Sequence, residues 1–476
     1  MVSHTNPDQE GFPADLLLEP GRPGGRVRAR VEQGIRRAIQ EGRLPGGATL
    51  PPTRVLAAEL GISRSAVVAA YGNLVDAGYL EARQGSGTRV RTEAAGTPSS
   101  PVPEGSIPAE PVRVVIDLNG GQPAPDLFPR MQWLRHYRAA LAETPDRELD
   151  YPALGGAARL RRALHGYLGR VRGVATTPER LVVVSGVTQG VTLACRALRR
   201  AGARRVAVED PCFAAHRIAI GIAGLEAVPV AVDGGGPSLA ELERAGADAL
   251  LVAPAHSYPL GAVVGDERRR ALITWARRHG TVILEDDYDA EFRYDRVPVG
   301  ALQGLAPDSV VYLGSASKTV NPALRLGWLA APPELANVIA LEKKYDDMGQ
   351  SLLDQHAFAR FVESGDFTRY LRRVRPIYRA KRAAAIAAAR RHLPHCSIQG
   401  ADAGLHFHLT LPPAIDEEGL VNRLADRGVR LDPAARHWAD PADAPPSIIL
   451  GFGASSEQQT RRGIELLAEE VARPGS

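Results

Sequence analysis

Val310-Val311-Tyr312-Leu313-Gly314-Ser315-Ala316-Ser317-Lys318-Thr319-Val320-Asn321-Pro322-Ala323-Leu324-Arg325-Leu326-Gly327 is a strand-length apolar run that breaks into small hydroxyl residues and then a lysine. The chain of 476 residues has only four lysines (Lys318, Lys343, Lys344, Lys381) among 58 basic residues, so arginine serves wherever a plain positive charge is enough. Arginine cannot condense with an aldehyde, because its guanidinium stays charged; lysine can, once its amine loses a proton. Lys318 therefore reads as a Schiff-base lysine, with Ser315, Ser317 and Arg325 placed to bind a phosphate beside it. A solvated loop lysine is the plain alternative.

Three segments upstream converge on the same chemistry. In Ile283-Leu284-Glu285-Asp286-Asp287-Tyr288-Asp289-Ala290-Glu291-Phe292 a buried strand ends in a burst of acids and a tyrosine. Carboxylates at a strand's C-terminal end are ligand groups in open α/β sheets. One of them, paired with a pyridine nitrogen, keeps that nitrogen protonated and the ring an electron sink, while Tyr288 suits the ring's phenolic oxygen. A metal-binding acid cluster is the rival reading. Ser185-Gly186-Val187-Thr188-Gln189 lies between a strand and a helix, where backbone N–H groups and Thr188 can hold a phosphate. Glu209-Asp210-Pro211-Cys212-Phe213 places an aromatic just past a strand end, ready to stack on a planar ring. Phosphate grip, stacking aromatic, acid and amine together specify pyridoxal 5′-phosphate; no single piece does.

These segments sit in a long alternation of strands (181–184, 205–208, 249–252, 281–284, 310–313) and helices (188–200, 267–278), the pattern of a mostly parallel sheet covered by helices. From about residue 355 the chain turns helical and arginine-rich, then returns to short strands near 405–410 and 448–452, which suits a small C-terminal α+β subdomain. Residues 92–111, rich in Pro, Ser, Gly and Ala, read as a semi-extended linker.

Before the linker, residues 22–91 carry twelve arginines, no lysine and five acidic residues, a basic head on a chain whose net charge is only +4. Such a head suits a polyanion. Val27, Val31, Ile35, Ala38 and Ile39 recur at helical spacing; Thr53 and Ser63 are placed to cap two more helices. Two short strands, 79–83 and 88–90, flank the turn Gln84-Gly85-Ser86-Gly87. Three helices and a two-stranded wing make a winged helix-turn-helix. Its second motif helix enters the major groove by its N-terminus, here Ser63-Arg64-Ser65. Arg64 suits a guanine edge, Ser63 and Ser65 suit phosphate oxygens, Arg54 suits the DNA backbone, and Gly85 permits close approach of the wing. A small helical interaction module is the alternative.

No run is long enough to span a membrane and no signal peptide is visible. Three scattered cysteines (Cys195, Cys212, Cys396) form neither a disulfide framework nor a metal site, so a reducing cytoplasm is expected.

Gly42-Arg43-Leu44-Pro45-Gly46-Gly47, Leu50-Pro51-Pro52-Thr53-Arg54, Gly61-Ile62-Ser63-Arg64-Ser65, Gly78-Tyr79-Leu80 and Gly85-Ser86-Gly87-Thr88 resemble the GntR superfamily of bacterial regulators. The rest resembles fold-type I aminotransferases. The blocks Gly121-Gln122-Pro123, Glu209-Asp210-Pro211, Pro254-Ala255-His256, Pro259-Leu260-Gly261, Glu285 to Phe292 and Ser317-Lys318 to Gly327 make the whole chain resemble the MocR subfamily. The resemblance implies a winged helix at 22–91, a linker at 92–111 and an aminotransferase-like domain at 112–476. It also implies a homodimer and a set of cofactor contacts. Lys318 bonds the aldehyde, Asp286 pairs with the ring nitrogen, Tyr288 with the ring oxygen, and Phe213 stacks. Val187, Thr188, Ser315, Ser317 and Arg325 hold the phosphate, and Tyr151 reaches the phosphate of the neighbouring subunit. By the same resemblance Arg54, Ser63, Arg64, Ser65 and Gly85 contact DNA.

Three departures stand out. Leu260 replaces a common threonine, and Phe213 a common tyrosine. Aminotransferases of this type carry an arginine for the substrate carboxylate on a late strand, where this chain reads Ser447-Ile448-Ile449-Leu450-Gly451-Phe452. Arg430 is the expected substitute for effector carboxylates. The chain is therefore expected to be a transcriptional regulator controlled by pyridoxal phosphate, or by an amine or amino acid reacting with it at Lys318, with vestigial enzyme chemistry. A working aminotransferase with a DNA-binding appendage, and a repressor whose body only dimerises, are the alternatives.

Overall fold

The computed structural model describes residues 27–83, 87–92, 115–233, 235–294 and 299–473. The chain divides into two compact units between residues 110 and 111. Apart from Thr92, the expected linker lies outside the described residues up to that division.

In the first unit, α1 (Val27–Gln40) buries Val31, Ile35, Ala38 and Ile39, one stripe of a 3.6-residue period. β1 (Thr49–Leu50) leads into α2 (Thr53–Glu59) and α3 (Arg64–Asp76), followed by β2 (Leu80–Arg83) and β3 (Gly87–Val90). Ser63 caps α3, its side chain accepting from the Ala66 N–H. Thr53 does not cap α2: it is the first helical residue, and Pro52 takes the cap position without a side-chain bond. The wing has three strands in the order β1-β3-β2, one more than expected, because two-residue β1 is too short to show a period. Val67, Ala70, Tyr71 and Leu74 of α3 pack on α1, and Glu32 accepts from both Arg36 and Asn73, tying α1 to α3.

In the second unit β4 (Ile116–Asp117) precedes an eight-stranded sheet. Its strands are β5 (Leu181–Val184), β6 (Arg205–Asp210), β7 (Glu226–Asp233), β8 (Gly236–Pro237), β9 (Ala249–Val252), β10 (Val282–Asp287), β11 (Val310–Ser315) and β12 (Gly327–Ala330), in the order β5-β12-β11-β10-β9-β6-β7-β8. The stretch from β11 to β7 is parallel; β12 runs antiparallel to both β11 and β5. β7 and β12 escape a sequence reading, since Pro229 interrupts one and the other is a four-residue run behind a turn. The central strands are apolar on both faces because both are covered. Leu251, Leu284 and Leu313 face one apolar layer, while Leu250, Ile283 and Val310 face another. Gly190 lets the helix Val187–Arg200 lie against the sheet, where a Cβ would come within 2.6 Å of Leu313.

Next come a long helix, Asp366–His392, and a four-stranded antiparallel sheet of β13 (Ser397–Gln399), β14 (His406–Thr410), β17 (Ser447–Gly451) and β16 (Asp432–Pro433). β15 (Val429–Arg430) pairs in parallel with β4, so the start of this unit is stitched to its end.

Candidate functional site

The C-terminal ends of β6, β10 and β11 point to one edge of the sheet, where ligands bind in open α/β architectures. A cavity of about 360 Å³ lies there. Val187, Thr188, Phe213, Asp286, Tyr288, Ser315, Ser317, Lys318 and Arg325 all line it, although they come from five separate stretches.

Lys318 sits on the four-residue helix Ala316–Thr319 that directly follows β11. Ser315 caps that turn through the Ser317 N–H and donates to the Ser317 hydroxyl at 2.9 Å. Desolvation holds the Lys318 ammonium below its ordinary pKa, against the pull of Asp289, Asp286 and Asp432. An amine so placed is easier to deprotonate and so more nucleophilic.

Asp286 ends in the same space. Its Oδ2 lies 3.2 Å from His216 Nε2, and its Oδ1 is buried without a hydrogen-bond partner. Burial raises its pKa, with His216 opposing. A buried, unpartnered carboxylate oxygen costs about 1–3 kcal/mol or more, and a ring N–H donor would satisfy it. Phe213 meets His216 and Tyr258 edge-on and stacks on His437 with centroids 6.1 Å apart. The helix Val187–Arg200 presents its N-terminus to the cavity. Arg325 adopts a left-handed backbone (φ 49°), and its guanidinium comes close to Gly186 beside that N-terminus. These residues fit pyridoxal phosphate: an amine for the aldehyde, an orphaned acid for the ring nitrogen, and a cationic, N–H-rich end for the phosphate.

The acidic burst does not converge on one ion. Glu285 accepts from the Leu302 and Gln303 N–H groups, Asp287 forms a buried bidentate pair with Arg172 and accepts from Tyr312, and Asp286 faces the cavity. Asp289 lies 2.9 Å from His256 Nδ1, and with His406 these side chains form a buried trio whose ligand atoms lie within 4.8 Å of one another. The Tyr288 hydroxyl, expected on the ring oxygen, is 3.0 Å from that same His256 nitrogen.

Two expected residues lie elsewhere. Arg430 does not face the cavity; β15 turns it toward Asp117, with which it forms a two-point ion pair. Tyr151 is 72% exposed and lines a second hollow, also about 360 Å³, with Lys343, Lys344 and Met348. Sequence reading missed His216, Tyr258, Asp432 and Arg436, all of which line the first cavity. Tyr258 stands beside the quoted Pro259-Leu260-Gly261 block, a signal that was there to use; nothing local marks the other three.

In the first unit Arg54, Ser63, Arg64 and Ser65 are all exposed, and neither Arg54 nor Arg64 has a side-chain partner among the described residues. Ser63 and Ser65 hydroxyls are 3.1 Å apart. Gly85 lies outside the described residues.

Comparison with known proteins matches both units. Residues 27–90 fit the family of bacterial regulatory proteins of the gntR type, and residues 113–357 fit aminotransferase class I and II. The chain is 32% identical to the probable rhizopine catabolism regulatory protein MocR of Rhizobium meliloti, over 91% of each protein. It is 29% identical to the HTH-type pyridoxine biosynthesis transcriptional regulator PdxR of Corynebacterium glutamicum, over 96% of this chain and 98% of that one. The multiple substrate aminotransferase of Thermococcus profundus shares the fold, with a TM-score of 0.69 at 24% identity, covering 76% of this chain and 92% of that one.

Proposed function

The chain belongs to the MocR subfamily of GntR-type transcriptional regulators, with an aminotransferase-fold, pyridoxal-phosphate-binding body, and from that membership we propose that cofactor chemistry at Lys318 controls DNA binding. One observation carries the reading: a partly desolvated lysine and an unpartnered buried aspartate oxygen share a cavity in a chain that also carries an exposed, arginine-led helix N-terminus. Bound pyridoxal phosphate supplies an aldehyde that primary amines capture and a ring that withdraws electrons.

The protein's own residues do the rest. Lys318 would provide the amine, and Asp286 Oδ1 would accept from a protonated ring nitrogen, while His216 holds the other oxygen. Phe213 covers the ring. Val187, Thr188, Ser315, Ser317 and Arg325 hold the phosphate. Tyr288, which lines the cavity, would serve the ring's oxygen, and Tyr258, tied to Asp432, would wall the same space. Arg64, Ser63, Ser65 and Arg54 contact operator DNA. A homodimer is supported by the second hollow, rimmed by exposed Tyr151, Leu154 and Met348; Tyr151 would then serve the partner's phosphate. A cytoplasmic setting is in keeping with the lack, among the described residues, of any helix long and apolar enough to cross a membrane.

Efficient transamination is not proposed. The late strand Ser447–Gly451, the stretch where aminotransferases of this type carry an arginine for the substrate carboxylate, has none, which supports a body that senses amines over one that turns them over. The effector is pyridoxal phosphate itself, or an amine or amino acid that displaces Lys318. A ligand shifts the protein only as far as it prefers one state. The test is fluorescence anisotropy with DNA from upstream of the protein's own gene, with and without pyridoxal phosphate and amines. Binding that responds in the intact protein and not in Lys318→Ala is the expected result. An unchanged response in that variant defeats the reading, and steady turnover of amino acids would restore the aminotransferase alternative.

A further inference from the structure

β16 and β17 pair antiparallel with Asp432 directly opposite Ile449, and residues so opposed share a face of the sheet. Ile449 is fully buried among Tyr258 and Ala434, tight against Gly120, where a Cβ would come within 2.7 Å of it. The late strand thus offers an apolar contact where a carboxylate-binding arginine would stand. The charge reappears on the neighbouring strand and the turn that follows it.

Asp432 is buried at the cavity wall. Its Oδ2 accepts from the Tyr258 hydroxyl at 2.7 Å, and its Oδ1 forms an ion pair with Arg436 Nη2. Oδ2 is taken by Tyr258, while Oδ1 makes no hydrogen bond of its own and faces the Arg436 guanidinium, so the Asp432 charge is set against Arg436. Arg436 differs. Its side chain is 54% exposed and lines the cavity. Nε donates to His437 Nε2 at 3.4 Å, and Nη1 has no protein partner among the described residues. Its backbone is clamped: Arg217 donates to the carbonyls of Arg436, His437 and Trp438 at 2.7–2.9 Å. A guanidinium clamped through its backbone and through Asp432, with Nη1 left over, can donate a charge-assisted hydrogen bond to a carboxylate or sulfonate. Arg325 does not compete for this task, since it lies beside Gly186 at the phosphate end.

We infer that Arg436, positioned by Asp432, reads the anionic end of the effector, so that this protein responds to primary amines bearing a carboxylate or sulfonate and discriminates against amines with neutral or cationic tails. The inference rests on the reading that Lys318 carries the cofactor.

The full-length protein loaded with pyridoxal phosphate is titrated with propylamine, 1,4-diaminobutane, alanine, β-alanine, 4-aminobutanoate and 2-aminoethanesulfonate, following the cofactor's absorbance. We expect the best anionic probe to half-saturate at a concentration lower than propylamine by about 10- to 100-fold, the worth of one charge-assisted hydrogen-bond pair. Arg436→Gln should collapse that ratio to within about twofold, and Arg436→Lys should keep part of it, since lysine retains the charge but not the fork. A ratio unchanged in Arg436→Gln, or propylamine and diaminobutane equal to the best anionic probe in the intact protein, overturns the inference. Failure of the intact protein to take up pyridoxal phosphate would instead defeat the Lys318 reading, and this inference with it. If Arg436→Gln does not fold, Arg436→Met supplies the same comparison of ratios, since it also removes the charge while keeping much of the side-chain volume.

Discussion

The two units carry their chemistry in opposite ways. In the first, Ser63, Arg64 and Ser65 are consecutive and exposed, and a helix cap alone orients them. In the second, Val187, Phe213, Asp286 and Lys318 meet only because a parallel sheet aligns the ends of strands far apart in sequence. A surface that reads a long polyanion needs little more than a stable helix end. A cavity that tunes an amine and an acid needs burial, and burial needs long-range packing.

That contrast can be broken or sharpened by substitutions that touch one unit at a time. The largest effect is expected from Arg172→Met. Arg172 and Asp287 form a buried pair behind the cavity, and removing one partner strands the other charge, costing about 3–5 kcal/mol. Thermal unfolding should show the body transition falling while the head transition stays. A fall in both would mean that the units do not fold independently.

Arg64→Ala should act on the other side only. Losing a base-edge contact costs about 1–3 kcal/mol, an operator affinity weaker by about 5- to 150-fold. Uptake of pyridoxal phosphate, read by absorbance, should not change. Equal weakening on random DNA would reassign Arg64 to the phosphates.

Acid should attack the body first. Burial pulls the Asp366 carboxyl upward, but Arg369, His136 and Arg135 pull harder and leave its pKa at about 2. A depressed carboxylate contributes stability that is present above its ordinary pKa, near 4, and lost as pH falls from there toward 2. Urea unfolding of Asp366→Asn across that window should show a flatter acid limb than the intact protein. The smallest effect is expected from Ser63→Ala, which removes the cap of α3 and should cost the head about 1 kcal/mol. Circular dichroism melts of the full chain should register it in the head transition alone.

Much of this was legible beforehand for a physical reason. Capping, helical stripes and apolar strand runs are short-range, and so are the acid and lysine blocks at strand ends. Lys318, Asp286 and Phe213 could be picked out because each lies at or just past the C-terminal end of a strand, and strand ends in such sheets face ligands. Thr53 misled because cap and first-turn positions differ by one residue and Pro52 tolerates the cap. Arg430 misled more usefully: alternation along a two-residue strand does not say which face is which, and pairing with β4 sends it to Asp117.

By itself, then, the sequence determined the two-part plan, the chemistry of the head and the lysine, acid and aromatic of the cavity, because each is written in neighbouring residues. Only the tertiary structure decided which arginine looks into the cavity, which oxygen of Asp286 is left open, and that His216, Tyr258 and Asp432 join them. Those outcomes depend on strand order and register, which bring together side chains far apart in the chain, 174 residues in the case of the Tyr258–Asp432 hydrogen bond, and no local pattern encodes a meeting over that distance.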